Sequence, residues 1–396
     1  YNYVPFGNYV DPQERHKFFA MMTIEISDDV ELYAEANHAQ LRADYVGSPS
    51  YPPTNAGYFT VVPTASPGYQ DFKANGLLAL PAATQAAYNA REASAGSVYW
   101  WGRAKAIEGP AAIFKNVNDT SRWAVGARGT LPGTELGFDA SVTYSTMNNH
   151  YEYYDIMSAK WINAVNGLGG TQCTGIAADA GNAAKGCHYY NVFGSHLTAA
   201  PGTALHNSAD EIDYITGDMG AETQKSSLVF DFILNGDLDW EIDNNAVAFA
   251  TGVQFRQEEG ETKNYGDARC ADNKPCAPAL HFLPMTYDSG NSTKNIGLFG
   301  ELSLPVSENL DINLGIRYED YETDSITVPK ISALLRATDT LQIRASYEEV
   351  FRSPVLPTAI DTSLERVYGE YYEVQTPIPT ALLPESSDNI NLGLLW

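Results

Sequence analysis

Along much of the chain, apolar and polar residues alternate with a period of two. In 137–145, Phe138, Ala140, Val142 and Tyr144 share one side while Asp139, Ser141, Thr143 and Ser145 share the other, the pattern of a strand with one apolar and one polar face. Leu310, Ile312, Leu314, Ile316 and Tyr318 stand likewise against Asp311, Asn313, Gly315, Arg317 and Glu319. Val247, Phe249, Thr251, Val253 and Phe255 stand against Ala246, Ala248, Ala250, Gln254 and Arg256. Extending this reading predicts eleven strands, at 17–27, 30–45, 119–131, 136–147, 225–236, 246–258, 294–304, 310–322, 328–337, 341–350 and 387–396. Only the Ala-rich stretch 80–95 suggests a helix, a short one within a loop. Several strands exceed the ~5–6 residues usual in soluble sheets and suit a tilted bilayer crossing of ~9–11 residues.

The connections sharpen the picture. Tight turns at 28–29, 132–135, 305–309 and 338–340, with a longer one at 237–245, alternate with long connections at 46–118, 148–224, 259–293 and 351–386; 323–327 alone is short on the long side. A soluble domain seldom carries so much loop, whereas outer-membrane barrels pair short periplasmic turns with long extracellular loops. Trp123, Tyr144, Trp240, Phe255, Tyr318 and Tyr347 fall near strand ends, where interfacial girdles form. The competing reading is a soluble β-sandwich whose aromatics fill a core. The expected fold class is all-β, an antiparallel transmembrane β-barrel. Single-chain bacterial barrels have even strand numbers, so eleven strands imply a section of a larger barrel.

Composition then narrows function. The chain has 396 residues, with 24 Lys and Arg against 49 Asp and Glu, a formal charge of −25. Such a field repels phosphate backbones, so no nucleic-acid partner is expected. Length alone suggests two or three soluble domains, yet no stretch reads as a linker. Apolar runs such as 246–253 fall short of the ~18 residues of a membrane helix. The first residues lack a secretion signal, so either the protein stays inside or its beginning is missing.

Four cysteines form two close pairs without zinc-knuckle spacing, Cys173 with Cys187 and Cys270 with Cys276. Two loop disulfides in an oxidising compartment are expected; four reduced thiols are the alternative. Metal-hydrolase, phosphate-loop and nucleophile-elbow motifs are lacking. Asp237-x-Asp239-x-Glu241-x-Asp243 resembles a calcium loop, but Ile242 stands where glycine is needed, which favours a solvated turn. The seven histidines are scattered. No catalytic residue, cofactor or metal site is assigned. The cluster Tyr99-Trp100-Trp101 with Arg103 stacks on a sugar, a siderophore or another ring-bearing ligand, packs its loop or serves as an interface anchor.

Several stretches together resemble the barrel of TonB-dependent receptors, the outer-membrane active transporters of Gram-negative bacteria. Gly297 to Val306 resembles the family strand ending in Glu-Leu-x-x-Pro, and Leu314 to Tyr321 its Gly-x-Arg-Tyr-(Asp/Glu) strand. Phe351-Arg352-Ser353-Pro354 matches Phe-Arg-(Ala/Ser)-Pro, and Pro384 to Asn389 followed by Leu392-Gly393 resembles the Pro-Glu-x-Ser-x-Asn strand entry. Upstream, Tyr9 to Arg15, Leu32 to Ala36 and Gly252 to Glu258 are similar to a large branch of the family.

The resemblance implies one partial barrel domain over 1–396, about eleven strands of a 22-stranded barrel, its long loops extracellular, its plug, TonB box and last strands absent. It implies capture of a scarce siderophore, vitamin or carbohydrate and import energised through TonB, with outer-membrane lipid, TonB and a small extracellular ligand as partners. Phe351, Arg352 and Pro354 would be structural, at a strand-to-loop junction, while Trp100, Trp101 and Arg103 are the candidate ligand contacts. Asp139, Glu301 and Arg317 would line the interior. A passive porin and a secreted β-rich binding or adhesion protein remain as alternatives; a barrel hydrolase would need a clustered acid, base or nucleophile that is not seen.

Overall fold

A computed structural model describes residues 7, 9–47, 60–100, 112–171, 173, 186–194, 205–266, 288–321, 324–352, 360–367, 370–377 and 385–396. In chain order the strands are β1 (Gln13–Ser27), β2 (Val30–Gly47), β3 (Thr60–Pro63), β4 (Ser97–Trp100), β5 (Ala112–Thr130), β6 (Gly137–Ile156), β7 (Thr216–Ile242) and β8 (Asn245–Gly266), then β9 (Ser289–Ser307), β10 (Leu310–Tyr321), β11 (Ser325–Thr338), β12 (Leu341–Arg352), β13 (Ile360–Val367), β14 (Glu370–Pro377) and β15 (Glu385–Leu395). Among the described residues four α-helices intervene: α1 (Pro67–Asn75), α2 (Ala82–Ala95), α3 (Ser158–Val165) and α4 (Ala209–Ile215).

Eleven strands form one antiparallel sheet in the order β1-β2-β5-β6-β7-β8-β9-β10-β11-β12-β15. They are the eleven read from alternation, and α2 is the helix expected at 80–95. Two two-stranded sheets, β3-β4 and β13-β14, stand apart from the large sheet. Among the described residues β1 and β15 do not pair, so the sheet is open.

Register makes the alternation cumulative, because directly opposed residues share a face. Ile24, Leu32, Ala127, Ala140, Phe232, Val253, Leu298 and Tyr318 form one continuous apolar row across eight strands. Phe249, Leu302, Leu314, Ile331, Tyr347 and Ile390 form another. Many of these large side chains are exposed, Leu314 at 37%, Ile316 at 56% and Ile390 at 81%. An exposed apolar patch of this extent has no place in water and marks a lipid-facing surface. From Leu310 to Tyr318 the band runs about 27 Å along the strand, or about 21 Å of height at a tilt near 40°, close to the ~25 Å of an outer-membrane apolar band.

The upper limit of the band is visible in the register. Trp123, Tyr144 and Leu228 form a row, and the next row outward on the same face is His38, Ser121, Thr146, Ser226, Glu259 and Ser292. Trp123 and Tyr144 thus sit where apolar gives way to polar, as an interfacial girdle requires.

Tight turns gather at one end of the sheet. They are two-residue turns at Asp28-Asp29, Asp243-Asn244, Glu308-Asn309 and Asp339-Thr340, with 131–136 slightly longer. Asp243 and Asn244 have φ of 52° and 59°, the left-handed pair of a hairpin turn that Asp and Asn tolerate. The calcium-like acidic run therefore ends in a hairpin, with its register irregularity between Asp237 and Glu241.

At the other end the strands run on past their expected limits. β6 continues to Ile156, β7 begins at Thr216, β8 reaches Gly266 and β5 begins at Ala112. The connections there shorten correspondingly, to 48–111, 157–215, 267–288 and 353–384. Beyond the bilayer both faces of a strand meet water or folded loop, so pairing persists while the alternation fades.

Leu314 lies mid-band on the apolar face and Asn313 on the opposite one. Leu314→Arg is expected to cost ~2–4 kcal/mol of stability in a lipid bilayer, and Asn313→Arg about 1 kcal/mol or less. Denaturant midpoints in vesicles measure both; equal effects would contradict the assignment of faces.

Candidate functional site

The two longest connections build a common hydrophobic core above the sheet. Val62, Tyr69, Phe72, Leu77 and Val98 from 60–100 cluster with Ile156, Trp161, Val165, Tyr190, Phe193, Ile212 and Ile215 from 156–215. Trp161, Tyr69 and Ile215 are 0% exposed, so the most deeply buried large side chains belong to this cap rather than to the sheet. Phe72 stacks on Phe193 at 4.5 Å, and the Trp161 indole donates to Thr60 Oγ1 at 3.2 Å. The Gly68 N–H donates to the Tyr189 hydroxyl at 3.0 Å.

Local chemistry shapes the cap's helices. Pro67 opens α1, whose N-cap Ser66 accepts from the Tyr69 N–H, and Gly96 closes α2 at φ 59°. Ser208 and Glu211 form a reciprocal capping box on α4. A Cys173–Cys187 disulfide, Cα atoms 5.3 Å apart, closes a loop of the second connection. Burial and the Glu92 carboxylate push the Tyr69 hydroxyl up to about 12.

Below the cap the polar face of the sheet has two zones. The lower zone is charged and internally paired. Arg128 meets Glu31, the Tyr33 hydroxyl donates to Asp139 at 2.9 Å, and at the upper border of this zone Arg122 reaches down to Glu35 at 2.6 Å. A network crosses β7 to β10: Gln254 donates to Asp231 at 2.7 Å, Arg317 to Gln254 at 3.1 Å and to Glu319 at 2.6 Å, and Asn295 to Glu319 at 2.6 Å. Glu319 is 2% exposed, so these partners compensate a buried charge. Gly297 makes room for them, since a Cβ there would lie 2.6 Å from an Arg317 nitrogen.

The upper zone is different. Along β2 and β5 to β9 successive rows read Asn37-Arg122-Ser145-Ser227-Glu258-Thr293, then Ala39-Thr120-Met147-Lys225-Gly260-Asn291, then Leu41-Asn118-Asn149-Thr223-Thr262-Ser289. Above them come Ala43-Asn116-Tyr151-Ala221-Asn264 and Tyr45-Phe114-Tyr153-Met219-Gly266. On these strands the last three rows contain no Asp, Glu, Lys, Arg or His; β1 adds Arg15 opposite Leu41 and Gln13 opposite Ala43. Burial and Tyr45 push Tyr151 up to about 12, and burial with Asp155 raises Tyr153 further, so both phenols are neutral at physiological pH. Tyr45 stacks on Phe114 at 4.2 Å, and Phe114 meets the buried Tyr153 ring at a tilt, 4.1 Å away. The first two rows border a trough of about 680 Å³. Its volume is that of a small-molecule pocket, and its lining offers hydrogen bonds rather than net charge.

The candidates read from sequence fall in various places. Trp100 ends β4 and packs 5.8 Å from Trp161 against the cap core, while Trp101 and Arg103 lie outside the described residues. Cys270 and Cys276 also lie outside them. Phe351 and Arg352 close β12; Phe351 approaches Tyr321 at 6.5 Å, and Arg352 faces Glu385 of β15 at 3.8 Å. Both of those charges are exposed, so the pair contributes little, about 0–1 kcal/mol. Pro354 lies outside the described residues. Asp139, Glu301 and Arg317 share the polar face. Sequence reading missed the upper rows; the signal was there in Asn116-x-Asn118-x-Thr120 and Asn149-x-Tyr151-x-Tyr153, once strands are allowed to continue beyond the bilayer. Among the described residues no group of three His, Cys, Asp or Glu is placed to hold a metal ion.

A family model described as TonB dependent receptor-like, beta-barrel matches residues 42–396. No curated protein matches the sequence. Among solved structures the chain is similar to the RagAB peptide importer, at 8% identity and a TM-score of 0.50, covering 97% of this chain and 38% of that one. It is also similar to the siderophore receptor PirA from Acinetobacter baumannii, at 11% identity and a TM-score of 0.50, covering 97% of this chain and 41% of that one. These likenesses concern the fold. The chain spans about two fifths of the length of the structures it matches.

Because both long connections share one core, truncating Trp161 should loosen both. Trp161→Ala is expected to cost about 3–5 kcal/mol within the cap and to raise hydrogen exchange in 60–100 as well as 157–171, leaving β10 to β12 unchanged. Exchange rising only in 157–171 would show two independent loops.

Proposed function

The chain belongs to the TonB-dependent receptor-like β-barrel family, and from that premise we propose that it is the wall and outer cap of an active-transport receptor. The family is one of outer-membrane transporters rather than enzymes, so the polar face is a surface for binding and passage. The observation that carries the proposal is the two-faced sheet: a continuous exposed apolar band on one side, and on the other a hydrogen-bonding wall under long, folded connections.

In this reading the apolar band faces lipid and the tight turns face the periplasm. The cap built by 60–100 and 156–215 stands on the extracellular side, where it meets a small ligand first. The polar wall then guides the ligand inward. A plug, as family members carry, would gate passage, and TonB would supply energy from the inner membrane. No covalent step is needed. The internally paired lower zone suits a wall against which other protein packs, because its charges already compensate one another.

A passive porin would share the lipid-facing band but hold an open aqueous path, and a secreted binding protein would not enter lipid at all. The complete receptor, reconstituted into planar bilayers, is expected to show no steady ion conductance, and it should be retained by the immobilised C-terminal domain of TonB. Steady open-channel conductance without TonB retention would favour the porin, and failure to float with lipid vesicles would favour the secreted protein.

A further inference from the structure

We infer that the upper polar wall binds a neutral, polyhydroxylated ligand, an oligosaccharide, through its amide and aromatic rows. The inference rests on the transport reading above and specifies its ligand. On β2 and β5 to β9 three consecutive rows carry no charged side chain and consist mostly of amide, hydroxyl, aromatic and small residues, with Leu41 and Met219 among them. This is a local exception in a chain of 73 charged residues, 24 basic and 49 acidic.

The amides are arranged as paired donors and acceptors. The Asn149 amide donates to Asn116 Oδ1 at 2.7 Å and to Asn118 Oδ1 at 2.6 Å, and the Asn118 amide donates to Asn116 Oδ1 at 3.1 Å. Asn149 has spent both donors, while its carbonyl oxygen and the Asn116 amide hydrogens meet no partner among the described residues. An acceptor therefore stands beside a donor on the same face, and a hydroxyl group can serve both at once. Thr223 and Thr262 continue the row, their hydroxyls 3.0 Å apart. Directly outward, Tyr151 and the stacked pair Tyr45 and Phe114 supply the apolar ring surface on which the C–H face of a sugar rests.

Other ligand classes fit poorly. An anionic iron complex needs convergent cations, yet Arg122 is held by Glu35, and Lys225 on β7 stands four strands, about 19 Å, from Lys17 and Arg15, which β1 places opposite Ala39 and Leu41. A cationic ligand needs carboxylates, and Glu258 alone, beside Arg256 at 3.9 Å, is available in these rows. A wholly apolar ligand would strip water from the asparagines without replacing its hydrogen bonds, which is unfavourable for each amide buried.

The test is a glycan array of neutral, sulfated and sialylated oligosaccharides probed with the complete detergent-solubilised receptor, followed by calorimetry, with ferric citrate and ferric enterobactin as anionic comparisons. Binding to one or more neutral glycans is expected. Asn118→Leu with Asn149→Leu should weaken it about tenfold or more, as two lost hydrogen bonds imply. Tyr151→Ala should weaken it comparably, and Thr223→Val provides a milder variant if the double variant does not reach the membrane. Silence of every neutral glycan, preference for the ferric complexes or sulfated glycans, or unchanged affinity in all variants that fold would overturn the inference. Conductance and TonB retention report on the transport reading separately, so a receptor that passes both and ignores sugars fails only here.

Discussion

Backbone pairing in a fixed register under a two-residue side-chain period is the constraint on which the rest of the molecule depends. In hydrocarbon every N–H and C=O must find a partner within the protein, and a paired sheet supplies one at each position. The same register decides which side chains meet lipid. A slip by one residue in β10 would send Asp311, Arg317 and Glu319 outward and Leu314 and Ile316 inward, exchanging the two faces completely. The polar network of Asp231, Gln254, Arg317, Glu319 and Asn295 adds a second lock, since its hydrogen bonds span β7 to β10 and exist in one register only.

How far the sequence discloses this fold follows from the solvent. Where lipid lies on one side, alternation is enforced residue by residue, and all eleven strands of the sheet are legible: Phe138 to Tyr144 and Leu310 to Tyr318 could hardly be read otherwise. Above the bilayer the enforcement ends. Lys115, Val117 and Asp119 on one face of β5 and Asn116, Asn118 and Thr120 on the other look alike to a pattern search, yet the strand is continuous from Ala112. The upper wall, which holds the candidate binding chemistry, was hidden for that reason. The cap was hidden for another. Its core joins residues such as Tyr69 and Phe193, far apart in sequence and held in no common period, so only the folded chain brings them together.

The motif residues acquire physical roles in the same frame. Arg317, read as a family signature and an interior residue, is tied to both Gln254 and Glu319. Gly297, from a separate signature, leaves the space that these side chains occupy. Arg352 and Glu385, from two further signatures, face each other across adjacent strands. Motifs that read as separate in sequence are thus joined in the fold by cross-strand contacts. The net charge of −25 likewise finds its place: carboxylates line turns, the interior and the strand extensions, while the mid-bilayer apolar rows are free of them.

The most direct test of the lipid-facing assignment is a period-two scan of β10 in a bilayer. Single bimane-labelled cysteines at 312 to 317, placed in the complete receptor with its native cysteines replaced, would be quenched by brominated lipid and, separately, by aqueous iodide. Positions 312, 314 and 316 are predicted to respond to brominated lipid and little to iodide, with 313, 315 and 317 showing little response to brominated lipid. Uniform iodide access at all six positions, without alternation, would contradict the account at its root.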